Sequence, residues 1–245
     1  IVSKEKVNGI ALLIIDISEK EKAEQMRKEF TANVSHELKT PLQNISGCAE
    51  LLSNGLVKKE DITKFSNQIY SESKRLMTLI DDIIKLSYLD EDNNDSVDYK
   101  DVDVYKLCES VNNDLALVAK NNNVNLSLNG DHFITNSSSR LLYMVIYNLV
   151  DNAIKYNRPG GYVDVSVSNE GIIKVKDNGI GIPEESIDRI FERFYRVDKS
   201  HSKEVGGTGL GLSIVKHAVL TLGGDISVKS KLNEGSEFTI VLPKL

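Results

Sequence analysis

The sequence is poor in cysteine, in long apolar runs and in excess basic charge, and each shortage argues against a class of protein. Its two cysteines, Cys48 and Cys108, stand in apolar surroundings, so we expect buried reduced thiols rather than a disulfide or a metal site. The apolar runs fall short of the about 20 residues that a membrane-spanning helix needs. The formal net charge of −6, without a long basic run, argues against a nucleic-acid-binding surface.

The chain shows no signal peptide and opens at Ile1, so we expect a soluble fragment of a longer protein. Its 245 residues are 40% hydrophobic and 27% charged, which suits a globular chain of one large or two ordinary domains. Residues 1–17 end in GIALLIIDI, a run that predicts a buried strand. Because a lone strand is not stable by itself, we expect residues 1–17 to be the end of an upstream domain.

Residues 18–91 predict two long helices. Ser18 and Glu21 have the spacing of a capping box, so the first helix is expected to begin at Ser18. It continues without a breaker into FTANVSHELKTPL (residues 30–42), where Pro41 is expected to bend it just past His36, and it fades near Asn54. A second apolar stripe, with steps of three, four and seven residues, predicts an antiparallel partner helix. This stripe comprises Ile62, Phe65, Ile69, Leu76, Ile80, Ile83 and Leu86. Two helices bury little surface, so a dimeric four-helix bundle is expected.

His36 is the candidate nucleophile of the first helix. It lies two positions from both Val34 and Leu38 of the apolar stripe, so its imidazole is expected to face water. A neutral imidazole has a free nitrogen lone pair at pH 7, and the carboxylate of Glu37 stands beside it. Thr40 follows one turn later on the same face. The alternative interpretation is a surface histidine among surface charges.

Residues 92–98 belong to an acidic run, DEDNNDSVD, that lacks periodicity and predicts an interdomain linker. From Tyr99 onwards the pattern becomes mixed, which favours helices on one face of a mixed sheet. Residues 186–196 are expected to be helical or loop-like. The helices are predicted over 102–119, from Ser138 or Ser139 to 156, and over 210–222. The strands are predicted over 124–128, 162–168, 171–176, 226–230 and 237–242.

One helix of this second domain carries a polar edge. Asn148, Asn152 and Lys155 share a face at steps of four and three residues. Amide oxygens can coordinate Mg²⁺ and a lysine can contact phosphate, so this edge is a candidate magnesium–polyphosphate site. A solvated helix face is the alternative.

Two glycine-rich segments follow. In DNGIG, Asp177 can accept a hydrogen bond from an exocyclic amine such as that of adenine, and a ligand-free β-turn is the alternative. GGTGLGL (residues 206–212) opens a helix, whose backbone N–H groups can bind phosphate. Between the two segments, Arg193 and Arg196 are candidate phosphate contacts. The polar stretch at 197–205 predicts a lid over the nucleotide.

The ordered set SHELKTPL, NLVDNAIKY, DNGIG, FERFYR and GGTGLGL resembles the H, N, G1, F and G2 boxes of the sensor histidine kinases of two-component systems. The resemblance covers residues 20–245. The segment from Asp16 to Ser18 is similar to the exit of a PAS sensor domain. Within the family, the chain is similar to the membrane-anchored PhoR and WalK type.

The resemblance implies a helical hairpin over residues 18–91 that dimerises into a four-helix bundle. It implies a GHKL-type α/β sandwich over residues 99–245 that binds ATP. His36 would be the phosphoacceptor and Glu37 the base that orients it. Thr40 would position water during dephosphorylation of the partner.

The resemblance also implies the nucleotide contacts. Asn152, with Asn148, would hold Mg²⁺, and Asp177 would bind the adenine amino group. Independently of the resemblance, Arg196 is a candidate, with Mg²⁺ and Lys155, for neutralising charge on the transferring phosphate. The further contacts would come from Lys155, Tyr156, Gly179, Gly181, Gly207, Thr208, Gly209, Leu210 and Gly211.

The implied function is an ATP-dependent protein histidine kinase that passes its phosphoryl group to an aspartate of a response regulator, and that also acts as the regulator's phosphatase. The expected assembly is a homodimer, in the cytoplasmic part of a bacterial membrane protein. Transfer to the histidine within one subunit or across the dimer stays open. Two rival hypotheses are an ATP-binding scaffold without kinase chemistry and a GHKL ATPase of the gyrase or chaperone kind, which leaves SHELKTPL unexplained.

Overall fold

The computed structural model describes residues 2–3, 6–7, 16–90, 98–197 and 207–243. Most of the strand predicted over 9–17, most of the linker at 92–98 and nearly all of the lid at 197–205 lie outside the described residues. The elements, in chain order, are β1 (Val2–Ser3), β2 (Lys6–Val7), α1 (Ser18–Ser53), a 3-10 helix (Lys59–Asp61), α2 (Ile62–Asp90), β3 (Lys100–Asp103), α3 (Val104–Asn121), β4 (Asn125–Gly130), β5 (Ile134–Ser137), α4 (Ser139–Lys155), β6 (Tyr162–Val167), β7 (Ile172–Asp177), a 3-10 helix (Glu184–Ser186), α5 (Gly211–Thr221), β8 (Asp225–Lys231) and β9 (Gly235–Val241).

Helix α1 begins at Ser18, as predicted, but the capping box is wrong. The carboxylate of Asp16 accepts a hydrogen bond from the backbone N–H of Ser18 at 2.9 Å. This N–H has no partner within the helix, and a side chain two residues earlier in the chain supplies one. The helix then runs without interruption past Pro41 to Ser53. Gly55 follows with a φ of +65°, and this left-handed turn confirms the predicted end of the helix.

Helices α1 and α2 form the predicted hairpin, and most of the predicted stripe on α2 is buried or partly buried, including Leu86. Ile62 and Ile80 are the exceptions, with 45% and 42% of their surfaces exposed. Leu79, which lies outside the predicted stripe, is buried, because α5 of the following domain packs on the side of α2 that carries Leu79 and Leu86. The second domain therefore shares an apolar cluster with the hairpin.

The second domain is a five-stranded sheet in the order β4-β6-β7-β9-β8, covered on one face by α3, α4 and α5. β4 pairs with β6 in parallel and the other pairs are antiparallel. Alternate residues such as Val165 and Val175 point into the core, whereas Lys174 and Lys176 lie on the open face. This confirms the predicted helices-on-one-face architecture.

A small sheet of β3 and β5 was missed, because its four-residue strands pair across 30 residues of chain and leave no local period. As a result α3 begins at Val104 rather than at Val102, with Asp103 accepting a hydrogen bond from the N–H of Lys106 at 3.2 Å. For α4, Ser138 is the cap, since its hydroxyl accepts from the N–H of Leu141 at 3.5 Å.

Helix α3 offers a matched test of the core. Leu115 is fully buried against the sheet and α4, whereas Leu117 is 67% exposed on the same helix. We expect Leu115→Ala to lower the free energy of unfolding by about 2–5 kcal/mol, because it leaves a cavity. Leu117→Ala should change it by less than about 0.5 kcal/mol. Chemical denaturation measures both, and equal effects would contradict this packing.

Candidate active site

The imidazole of His36 projects from α1 into solvent, as the sequence predicts, with 80% of its side chain exposed. Its Nδ1 lies 3.9 Å from Oε1 of Glu37, within ion-pairing range but longer than a hydrogen bond. The hydroxyl of Thr40 donates to the carbonyl of His36 at 3.2 Å. The three residues predicted to act in catalysis on α1 therefore lie together, with the outer ring nitrogen directed away from Glu37.

The carboxylate of Glu37 lies between two side chains, Arg75 and His36. Its Oε2 lies 3.7 Å from a guanidinium nitrogen of Arg75 on α2, while Oε1 faces His36. Arg75 was not identified from the sequence. Its position on a neighbouring helix has no sequence signal, because the contact depends on how α1 and α2 pack.

The polar edge of α4 meets the glycine-rich loop. A Cβ placed on Gly211 would lie 3.2 Å from Oδ1 of Asn148 and 3.9 Å from Nδ2 of Asn152. The amide nitrogen of Asn148 donates to the carbonyl of Met144 at 2.7 Å, which holds the side chain in place. The amide oxygens that suit Mg²⁺ and the N-terminus of α5 that suits phosphate are thus brought to one place.

Lys155 and Tyr156 close the carboxyl end of α4. The ammonium of Lys155 pairs with the carboxylate of Asp151, one turn earlier on α4, at 2.6 Å. The hydroxyl of Tyr156 faces the loop, since a Cβ on Gly207 would lie 3.1 Å from it. Of these two predicted phosphate contacts, Tyr156 is directed at the glycine-rich loop and Lys155 is held by a neighbouring carboxylate.

Asp177 ends β7 with only 8% of its surface exposed. Burial raises the pKa of its carboxyl group, and hydrogen bonds from the backbone N–H groups of Gly179 and Ser236 oppose that shift. The Gly179 bond is 2.8 Å long. A Cβ on Gly179 would collide with the carbonyl oxygen of Tyr156, so glycine is required for this close approach. Gly181, with a φ of +66°, packs on the backbone of Lys231.

The glycine-rich loop also contacts the hairpin. The hydroxyl of Thr208 donates to Oδ2 of Asp82 on α2 at 2.7 Å. The side chain of Leu210 is fully buried among Leu79, Leu86 and Ile214. Thr208, predicted to lie near phosphate, is thus held by an acid of the other domain, and Leu210 can reach a nucleotide only through its backbone.

Asp82 is the contact that the sequence interpretation missed. It stands between Leu79 and Leu86 at steps of three and four residues, on one face of α2. An acid in the middle of an apolar face was a usable signal, because buried carboxylates need partners.

Residues 191–196, the aromatic segment, follow DNGIG in the chain and contact α1 near His36. The rings of Phe30 and Phe194 are 5.8 Å apart, and the guanidinium of Arg193 lies 5.1 Å from the centre of the Phe30 ring. At Gly209, with a φ of +74°, the carbonyl accepts from the N–H of Phe194 at 2.9 Å. This bond ties the backbone of Phe194 directly to the glycine-rich loop.

Arg196, in the segment between the two glycine-rich segments, is partly buried. Burial lowers the pKa of its guanidinium group; Tyr156 opposes this shift, Arg75 adds to it and Glu37 opposes it.

Two family models match the chain. "His Kinase A (phospho-acceptor) domain" matches residues 26–92, and "Histidine kinase-, DNA gyrase B-, and HSP90-like ATPase" matches residues 137–245. The first contains the exposed His36. The second contains Asn148, Asn152, Tyr156 and the glycine-rich loop, which together form the candidate nucleotide cradle. The second match supports ATP as the nucleotide. In the part of the chain that the structure describes, the helices are too short or too polar to cross a membrane.

The sensor histidine kinase WalK of Bacillus subtilis is 36% identical over 97% of this chain, which spans 40% of the length of that relative. The solved histidine kinase AdeS of Acinetobacter baumannii is 25% identical, with a TM-score of 0.68 over 84% of this chain and 96% of that one. The histidine kinase ThkA, solved in complex with the response regulator protein TrrA, has the same fold. It is 23% identical, with a TM-score of 0.72 over 95% of this chain and 68% of that one.

The order of the two matched domains, the fold and the relatives agree with the resemblance drawn from the motifs. The chain belongs to the sensor histidine kinases of two-component systems.

Proposed function

We propose that this chain is an ATP-dependent protein histidine kinase, which phosphorylates His36 and passes the phosphoryl group to an aspartate of a response regulator. The observation that carries the proposal is the position of the glycine-rich loop. Gly207 and Gly211 lie against Tyr156 and Asn148, while Thr208 is bonded to Asp82 on the hairpin that exposes His36. The candidate nucleotide site therefore borders the hairpin that carries the imidazole, and Arg196 is a candidate cation for neutralising charge on the moving phosphoryl group.

The residues of α1 would act as follows. The outer nitrogen of His36 attacks the γ-phosphorus of ATP, the bond to the bridging oxygen of the β-phosphate breaks, and ADP leaves. The ring then carries a positive charge with its proton on Nδ1. Glu37 stabilises this proton, since its Oε1 faces Nδ1, and a small approach from 3.9 Å would make a hydrogen bond.

The ATP-binding domain would position the nucleotide. Asp177 accepts a hydrogen bond from the adenine amino group, and Gly179 and Gly181 let the backbone approach the base. Asn148 and Asn152 hold Mg²⁺, which supplies positive charge to the phosphates when bound. Positioning and charge neutralisation are most of what phosphoryl transfer requires. The remaining phosphate contacts come from Lys155, Tyr156, Gly207, Thr208, Gly209, Leu210 and Gly211.

Transfer requires the ATP-binding domain to move along the hairpin. The aromatic segment touches Phe30, six residues before His36, or about 9 Å along the helix axis. Thr208 is at the same time bonded to Asp82. Domain boundaries at residues 91 and 99 would leave a short linker that permits this motion.

The partners follow from the exposed surfaces of the hairpin. We propose a homodimer, because a row of apolar side chains is uncovered in the single chain and would be buried in a four-helix bundle. This row lies along one face of α2 and comprises Tyr70, Met77, Ile80, Ile84 and Tyr88. The response regulator would dock on the bundle near His36. A cytoplasmic position in a membrane-anchored parent is proposed from the family alone.

The first test is the chemical identity of the phosphorylated residue. Incubation with γ-labelled ATP should give acid-labile, base-stable label, because phosphohistidine has that stability profile, and His36→Gln should abolish it. His132→Gln, which replaces another exposed imidazole of the chain, should retain it. Label that persists in His36→Gln would refute the assignment.

The second test concerns adenine recognition. Asp177→Asn should raise the Kd for ATP about 10- to 100-fold, because it replaces a charged acceptor opposite the exocyclic amine. The melting temperature should not fall, since burial disfavours the ionised carboxylate that the variant removes. Asp164→Asn, on the open face of the same sheet, should leave the Kd unchanged. Calorimetric titration with ATP measures both variants, and equal Kd values would contradict this role.

The third test separates phosphatase from kinase. We expect Thr40→Ala to lower the rate at which this chain dephosphorylates a response regulator at least about tenfold, because the variant loses a positioned catalytic group. The regulator is first labelled by this chain. The rate of autophosphorylation should stay within about twofold of that of the wild type. Thr31→Ala is the control, because Thr31 donates to the carbonyl of Arg27 in the same way as Thr40 does to that of His36. An unchanged phosphatase rate in Thr40→Ala would remove Thr40 from the mechanism.

A further inference from the structure

Asp82 is a buried acid on the hairpin, and each of its oxygens has a partner. Only 7% of its surface is exposed. Oδ2 accepts a hydrogen bond from the hydroxyl of Thr208 at 2.7 Å, and Oδ1 lies 3.3 Å from the ammonium of Lys85. Thr208 belongs to the other domain, so this bond is a specific polar contact between the two domains.

The surroundings of this bond are apolar. Leu79 and Leu86 flank Asp82 on α2 and pack on Leu210 and Ile214 of the ATP-binding domain. A hydrogen bond to a charged acceptor in such surroundings is stronger than one in water, because few water molecules compete for its groups. The bond between Thr208 and Asp82 therefore favours the docked arrangement of the loop.

The hydroxyl of Thr208 has no second proton to give. It donates its proton to Asp82 while it accepts from the N–H of Leu210 at 3.3 Å. A threonine hydroxyl is a donor to one group only, and a phosphate oxygen at neutral pH needs a donor. Thr208 thus cannot donate to Asp82 and to a nucleotide phosphate at the same time.

The same loop faces the nucleotide cradle with its two ends. Gly207 lies against the hydroxyl of Tyr156 and Gly211 against the amide of Asn148. Thr208 stands between these glycines, so its position is shared by the cradle and by the hairpin. The carboxylate of Asp82 also places a negative charge close to the site where the polyphosphate would bind.

We propose that Asp82 competes with the nucleotide for the hydroxyl of Thr208, so that docking of the loop on α2 and binding of ATP oppose each other. The inference rests on the proposed function, because it takes Thr208 as a phosphate contact. In the docked state, in which Thr208 is bonded to Asp82, the chain binds ATP weakly. The observed affinity for ATP therefore falls as the fraction of molecules in the docked state rises. Linkage makes the effect reciprocal: bound ATP releases the loop from the hairpin.

The experiment measures the Kd of the whole chain for the magnesium complex of AMPPNP, by displacement of a fluorescent nucleotide. Asp82→Ala removes both the acceptor and the charge, and should lower the Kd about three- to tenfold. Asp82→Asn keeps an acceptor oxygen but no charge, and should lower the Kd by a smaller factor. Asp81→Asn is the matched control: it removes one charge from the exposed side of the same helical turn and should leave the Kd unchanged.

A Kd that is unchanged or raised in Asp82→Asn, with the melting temperature of the wild type, would overturn the proposal. An equal decrease in Asp81→Asn would also overturn it, because net charge would then be the cause. Asp82→Asn decides the question if Asp82→Ala does not fold. Failure of the proposed function looks different: the wild-type chain itself would then bind no AMPPNP or form no phosphohistidine.

Discussion

The packing of the glycine-rich loop between α4 and the hairpin is the contact on which the rest of the site depends. Gly207 and Gly211 have no side chains, and this lets Tyr156 and Asn148 approach the backbone. Leu210, between them, is buried against α2. One five-residue segment therefore contacts the candidate nucleotide cradle on one side and the phosphoacceptor hairpin on the other, and any shift of the loop affects both.

The acids of the site differ by burial, and burial decides what each can do. Glu37 is partly exposed between the guanidinium of Arg75 and the imidazole of His36, so it can respond to a change of charge on His36. Asp177 and Asp82 are buried, and each is held by defined donors. A buried carboxylate without donors would be costly, which makes these two positions rigid points in the fold. The candidate nucleophile, His36, is exposed, whereas the acids proposed to bind and control the nucleotide are held by hydrogen bonds.

Local patterns predicted most of the secondary structure, because the responsible forces act within a few residues. The cap at Ser138, the alternation in β6 and β7 and the left-handed Gly55 each depend on neighbours in the chain. The wrong cap at Ser18 shows the limit of such patterns, since Asp16 was an equally local competitor for the same N–H. The missed β3–β5 pair shows another limit, since the strands find each other only in the folded domain.

The sequence by itself determined the chemistry that this chain carries: an imidazole on the polar face of a helix, amide oxygens along one helical edge, an acid before a glycine turn and a loop that opens a helix. These follow from residue type and short spacing. Only the tertiary structure decided which groups meet. Arg75 reaches Glu37, and Thr208 reaches Asp82, across 38 and 126 positions of the sequence. Such contacts are set by how helices and domains pack, and packing depends on surfaces to which the whole chain contributes.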